Sequence, residues 1–242
     1  MRLVLVHARA MTLELLRYPA YLVPTLLLPT VFFLFFATSG GRVEATARMA
    51  TFAGFAVIGV AFFQFGVGIA VERASPWEGY LRTLAVGPAT RLGARLVSAA
   101  VFATLAAALL VLTAVCVGRA SLPVLRWPAL AAALVAGTVP FAFLGIAVGY
   151  WAPARAALPV ANLLYLVLSY AGGLWTRPAG LPHGVEAVSR FLPTRALGDA
   201  LVATALGLGV QWAAWLSLAA FAAVFAIAAA VGYRRDEGSR FS

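Results

Sequence analysis

Residues 49–71 read MATFAGFAVIGVAFFQFGVGIAV, 23 residues without a single charge. A bilayer core of about 30 Å is crossed by about 20 apolar residues in an α-helix. Polarity does not alternate along the run, as it would over the roughly 10 residues of a membrane-barrel strand. Inside lipid the backbone must satisfy its own hydrogen bonds, so this stretch is a transmembrane helix. Working outward, five more runs of the same kind occupy 19–37, 96–118, 128–151, 157–175 and 209–233, each bounded by charge or turn residues. The expected fold is therefore all-α and integral to a membrane, one domain over 1–242 with six transmembrane spans.

Composition agrees. The chain is 63% hydrophobic and 11% charged, where soluble domains carry about a quarter charged residues. The net charge of +10 comes entirely from 18 arginines over 8 acids, with no lysine. Arginine collects in cytoplasmic loops of membrane proteins, and no basic stretch is long enough to make a nucleic-acid face. Six spans put both termini on one side. That side holds eleven arginines against seven on the other, and the Arg234-Arg235 pair follows the last span directly. Both termini are expected in the cytoplasm, with the chain in the cell membrane. The first apolar run follows a polar stretch with three arginines, so a cleaved signal peptide is not expected.

Three segments do not span. In 1–18, Leu5, Ala8, Leu13, Leu15 and Leu16 mix with Arg9, Glu14 and Arg17, the pattern of an N-terminal helix lying along the interface. In 72–95, Ser75-Pro76-Trp77-Glu78 is a helix start: a cap, a proline at the first position and a capping-box acid. Trp77, Tyr80, Leu81, Leu84 and Ala85 share one face, Glu78 and Arg82 are spaced to pair, and Gly87-Pro88 ends the helix. In 184–192, Val185, Val188, Phe191 and Leu192 share a face while Glu186 and Arg190 are spaced to pair. Pro193 then breaks the helix, and Thr194 can cap the next. Residues 196–208 are apolar but too short to cross, the mark of a segment that dips in and returns.

Glu72-Arg73, Glu78, Leu81, Val86-Gly87-Pro88 and Thr90-Arg91 resemble the cytoplasmic loop of ABC-2 type transporter permeases, with Ala74-Ser75 standing where the family usually has Glu/Lys-Gly. Gly172-Gly173-Leu174-Trp175, Leu181-Pro182, Val185, Phe191-Leu192-Pro193-Thr194 and Leu201 are similar to that family's region before its last span. The resemblance implies a cytoplasmic coupling helix docked on an ATPase subunit, with Glu72, Arg73, Trp77, Glu78, Leu81 and Arg82 at the contact. It implies an extracytoplasmic re-entrant segment and outer gate, with Trp175, Pro182, Glu186, Arg190, Pro193 and Asp199 as its residues. Two cytoplasmic ATP-binding-cassette ATPases and a second permease copy or homologue are the partners it implies. ATP and magnesium would be bound by the ATPase, and no cofactor by this chain.

The chain offers no catalytic constellation. Without lysine there is no Walker A motif, and His7, His183 and Cys116 lie too far apart in the topology to build a metal site. The expected spans contain no Asp or Glu, which argues against an ion-gradient carrier, the main alternative alongside a non-transport assembly factor. Phe62, Gln64, Asn162 and Tyr165 are the candidates for a substrate path. Phenylalanines are abundant in the first two spans, from Phe32 to Phe65; most are expected to face lipid, and an amphiphilic substrate is the alternative reason for them. Gly145-x-x-x-Gly149 permits close helix approach. The expected activity is outward export of a hydrophobic or amphiphilic substrate, a small drug being the favoured cargo.

Overall fold

A computed structural model describes residues 2–36, 40–76, 87–117, 120–176 and 180–238. Among these residues the chain is helical throughout, 87% in helix with no strand. Ten α-helices are described: α1 (Arg2–Leu16), α2 (Pro19–Phe36), α3 (Arg42–Ala61), α4 (Gly68–Ala74), α5 (Pro88–Cys116), α6 (Trp127–Trp151), α7 (Ala154–Ala171), α8 (His183–Ser189), α9 (Pro193–Leu206) and α10 (Trp212–Gly238). A π-helical stretch, Phe62–Val67, joins α3 to α4, so that Arg42–Ala74 is one continuous rod of 33 residues. This rod, α2, α5, α6, α7 and α10 are the six helices long and apolar enough to cross a membrane. The protein is an all-helical integral membrane protein.

The helix bounds correct several expected spans. The second runs from Arg42 to Ala74 rather than 49–71, and so contains Glu44, Arg48, Glu72 and Arg73. The third begins at Pro88, which puts Arg91 and Arg95 inside a helix instead of on a loop rim. The fifth ends at Ala171, because Gly173 takes φ +76° and turns the chain, leaving Trp175 outside the helix. The last runs to Gly238 and carries Asp236 and Glu237. Hydropathy marks where a helix meets lipid, and a helix whose end is clothed by neighbours keeps winding past that point.

The stretch 49–71 lies at the centre of the bundle. Every residue from Met49 to Ala61 is buried. Its alanines, glycines and threonines let α2, α5, α6 and α9 approach closely. Association in lipid rewards such packing because lipid tails are as apolar as leucine. The phenylalanines expected to face lipid are partly misassigned: Phe33, Phe52, Phe55, Phe62 and Phe65 are all at most 2% exposed. Phe55 and Phe62 lie against Tyr165, while Phe35 at 80% and Phe36 at 45% are exposed. Around this hub, α10 rides on α6 and α1 lies along α5.

The connections sort the helices into two ends. Arg2, Ala74, Pro88, Trp151, Ala154 and Gly238 lie at one end, called here the terminal end. Phe36, Arg42, Cys116, Trp127, Ala171 and Trp212 lie at the opposite end. The short helix α9 stays at that opposite end, within the bundle. Thr194 near its start donates to the Leu168 carbonyl of α7, and Arg126 at the start of α6 donates to Ala205 near its finish. Its middle leans inward, where Leu197 and Leu201 fill the space that Gly137 and Gly54 leave open. The segment expected to dip and return is thus a helix laid across the interior. Thr194 does not cap it, since its hydroxyl goes to Leu168 and Leu192 is the capping residue without a side-chain bond.

Candidate functional site

The loop between α4 and α5 leaves the terminal end, and two arginines fasten its base. Arg73, in the last turn of α4, donates its Nε to Asp236 of α10 at 2.9 Å. One terminal nitrogen donates to the Gly149 and Tyr150 carbonyls at 2.6 and 2.7 Å, where α6 runs out of helical partners. Its guanidinium also lies 5.4 Å from the centre of the Tyr150 ring. One side chain therefore ties α4, α6 and α10. Asp236 is 9% exposed, so its charge is bearable only beside such a partner.

Arg95 of α5 is 6% exposed. It donates to the backbone carbonyl of Gln64, inside the π-helical stretch, and pairs with Glu72, itself half-exposed. A π-turn bonds i to i+5 and holds one residue more than an α-turn. Here the Gly68 N–H reaches back to Phe63, five residues earlier. The resulting irregular carbonyl ladder presents Gln64 to Arg95, and Gly68, lacking a Cβ, leaves room for the guanidinium. Opposite the same stretch sits the Gly145-x-x-x-Gly149 pair. A Cβ at Gly145 would lie 2.9 Å from the Ala61 carbonyl, and one at Gly149 would lie 2.7 Å from that of Phe65. Backbone thus touches backbone at the π-helical stretch.

Of the coupling candidates, Glu72 and Arg73 are both engaged inward, in the contacts just described. Trp77, Glu78, Leu81 and Arg82 lie outside the described residues. Ser75, expected to cap a following helix, is the extended residue that ends α4. Arg95 and Asp236 were missed by sequence reading. The one signal was that both arginines flanking the loop sit near apolar runs.

The substrate-path candidates divide. Phe62, Gln64 and Tyr165 are buried together in the core, with Tyr165 stacked on Phe55 at 4.4 Å between ring centres. Asn162, one turn earlier on α7, is only partly buried. The side chain of Gln64 and the hydroxyl of Tyr21 on α2 are buried and face each other, with Thr25 beside them.

At the opposite end, Trp175 folds back beneath α7 and packs edge-on against Phe32 at 5.0 Å and Phe55 at 5.5 Å. It shares a cavity with Asp199, whose carboxylate accepts two bonds from the Arg195 Nε. Pro193 is the buried first residue of α9. The remaining gate candidates are elsewhere: Pro182, Glu186 and Arg190 belong to α8 at the surface, where Glu186 and Arg190 approach to 3.7 Å. On that helix Val188 is 58% exposed and the following Phe191 79%, so its apolar face looks outward rather than into the bundle.

No protein-family model matches the chain, and no solved structure matches it significantly. Among curated proteins, the chain is 21% identical over 230 residues to the protein named "Putative transport permease YvfS" of Bacillus subtilis (strain 168). The similarity covers 93% of this chain and 94% of that protein, a nearly end-to-end alignment.

Proposed function

We propose that this chain is the membrane-spanning permease subunit of an ATP-binding-cassette exporter of the ABC-2 type. The end-to-end similarity to a protein named as a transport permease carries the reading. In this proposal the chain works with a second permease copy or homologue and two cytoplasmic ATPase subunits, in the cell membrane with both termini inside. It moves a hydrophobic or amphiphilic substrate outward.

The geometry supplies a route for force. The loop after Ala74 springs from the base that Arg73 and Arg95 fasten to α6, α10 and the π-helical stretch. Closure of the ATPases would press on the loop, and the fastened base would pass the displacement along the central rod. A π-turn holds one residue more than the α-turns around it, and such turns are frequent at functional sites. In this reading the stretch Phe62–Val67 is where the rod yields. With the ATPase co-expressed, alanine at both Trp77 and Leu81 is expected to leave ATP hydrolysis running while substrate export falls at least tenfold. Equal export by the double variant and the parent refutes the coupling assignment.

A second reading has one observation in its favour. The helices extend far enough to include Glu72 and Asp236, acids of the kind that gradient-driven carriers titrate. Each is already paired with an arginine. Substrate uptake into protein-only liposomes under a proton gradient, without any ATPase, would establish that reading and remove the first.

A further inference from the structure

One face of α1 packs on α5. Ala8 is buried there, and Val4 lies 3.4 Å from where a Cβ on Gly93 would stand. The two helices run side by side in the same direction, and an open groove of about 270 Å³ lies between them. Leu5, Arg9 and Leu13 of α1 form one wall, Val97 and Val101 of α5 the other. The groove lies where the uncharged run 96–118 begins, which is the boundary between hydrocarbon and headgroups.

Arg9 is exposed at this groove. No carboxylate lines it, and among the described residues Arg9 has no ion-pair or hydrogen-bond partner. Residues 2–17 hold three arginines, all exposed, against the single acid Glu14. Glu14 follows Arg9 by five positions, about 140° round the helix, so it faces away. A guanidinium meets a phosphate through two parallel hydrogen bonds, and its carbon stem can lie on apolar surface while its head stays wet. Beyond the groove, α5 continues the apolar wall. Val97, Val101, Leu105, Leu112 and Val115 are all exposed and share one face of the helix. That track is about 27 Å long at 1.5 Å per residue, more than the half of a 30 Å core, about 15 Å, that one leaflet's acyl chains fill. A zwitterionic headgroup brings its own cation to the phosphate. A net-negative one does not, and an unpaired arginine at the membrane surface favours it.

We infer that the groove between α1 and α5 binds a phospholipid with a net-negative headgroup, its phosphate on Arg9 and one acyl chain along Val97, Val101 and Leu105. The site belongs to a single copy of the chain and does not rest on the energy source for transport.

The test uses the full chain alone in nanodiscs, with no ATPase or nucleotide, so its failure is separate from that of the proposed function. In a Cys116→Ser background, Leu105→Cys carries a bimane label one turn beyond the groove. The discs mix phosphatidylglycerol with phosphatidylcholine, and either lipid is supplied with brominated acyl chains, which quench the label on contact. The two quenching curves give the relative binding of the lipids at that spot. Phosphatidylglycerol is expected to bind about fivefold better than phosphatidylcholine, the worth of one arginine near an anionic surface. Arg9→Gln is expected to bring the ratio close to unity. Arg155→Gln, the same loss of charge at an exposed position on α7, is expected to leave it unchanged. Val101→Phe narrows the groove with every charge kept and is expected to lower the preference at least twofold; it decides the matter if Arg9→Gln does not fold. A ratio near unity in the parent, or a preference that Arg9→Gln leaves intact, overturns the inference. Equal losses from Arg9→Gln and Arg155→Gln overturn it too, since the preference would then belong to the general charge of the molecule. A label that neither lipid quenches would mean that a second copy covers this face, and the inference would fall.

Discussion

Arg95 and Glu72 form an unequal ion pair, because Arg95 is almost wholly buried and Glu72 is half in contact with its surroundings. Removing the exposed acid strands a buried cation, whereas removing the cation leaves a solvated acid and one orphaned carbonyl at Gln64. Breaking a fully buried pair from one side costs about 3–5 kcal/mol, and exposure of Glu72 reduces that. Glu72→Gln is expected to destabilise by about 2 kcal/mol, Arg95→Met by about 1–2 kcal/mol, and the double substitution by no more than Arg95→Met alone. Thermal unfolding in detergent micelles measures the cycle, and simple additivity would show that the two groups act independently. Their pairing was not legible in the sequence, because a hydropathy window reports the mean of a stretch and not which single side chain turns inward. Glycine contacts were more legible. Gly145 and Gly149 announced a close approach by their spacing, and the structure finds backbone against both. Gly149→Val meets the Phe65 carbonyl and the Ile69 Cβ, at 2.7 and 2.8 Å from its first added carbon. It should cost about 2–3 kcal/mol of overpacking. Gly66→Ala faces nothing nearer than 3.5 Å and should cost under about 1 kcal/mol, chiefly in fit. A similar loss from both would mean that contact at the π-helical stretch does not set stability.

At the scale of elements, α9 shows what a short apolar helix needs to stay inside a bundle. Its last carbonyls have no helical partners. The Leu208 N–H closes back on Ala203 at 2.9 Å, Gly207 takes φ +70°, and Arg126 supplies a donor and a positive charge to Ala205. Gly207→Ala places a methyl group in a left-handed conformation and into the Arg126 guanidinium. It should lower stability by about 1–2 kcal/mol, and it should loosen the end of α9 enough to raise hydrogen exchange at Ala205 to Leu208. Unchanged exchange there would show that the cap is dispensable. The existence of the long helices was readable, since about 20 uncharged residues leave few alternatives, while their ends were not. Which face turns inward was not. In water a helix reveals its buried side by a 3.6-residue rhythm, but lipid and protein interior are both apolar, so leucines facing either look alike. The small residues of 49–61 were the surviving signal, and they mark the helix that is buried on every side. The π-helical stretch had no signal, because an i+5 turn is selected by what packs around it.

For the whole molecule, the arrangement of ends makes topology a single yes-or-no question. Arg2, Arg9, Arg17, Arg73, Arg91, Arg95, Arg155, Arg234 and Arg235 all belong to the terminal end, while Arg42, Arg48, Arg126, Arg190 and Arg195 belong to the other. Insertion retains positive segments inside, and the proposal that the terminal end is cytoplasmic rests on that excess. The chain has one cysteine, Cys116, at the exposed end of α5, so a cysteine-free parent needs one substitution. In a Cys116→Ser background, Arg9→Cys is expected to resist a membrane-impermeant maleimide in intact cells and to react after permeabilisation. Ser121→Cys, in the connection between α5 and α6, is expected to react in both. The reversed pattern would put the loop after Ala74 outside, beyond the reach of any cytoplasmic ATPase, and the coupling mechanism would fall with it. Labelling therefore decides the direction in which a single set of contacts is read, and it does so without knowledge of the cargo.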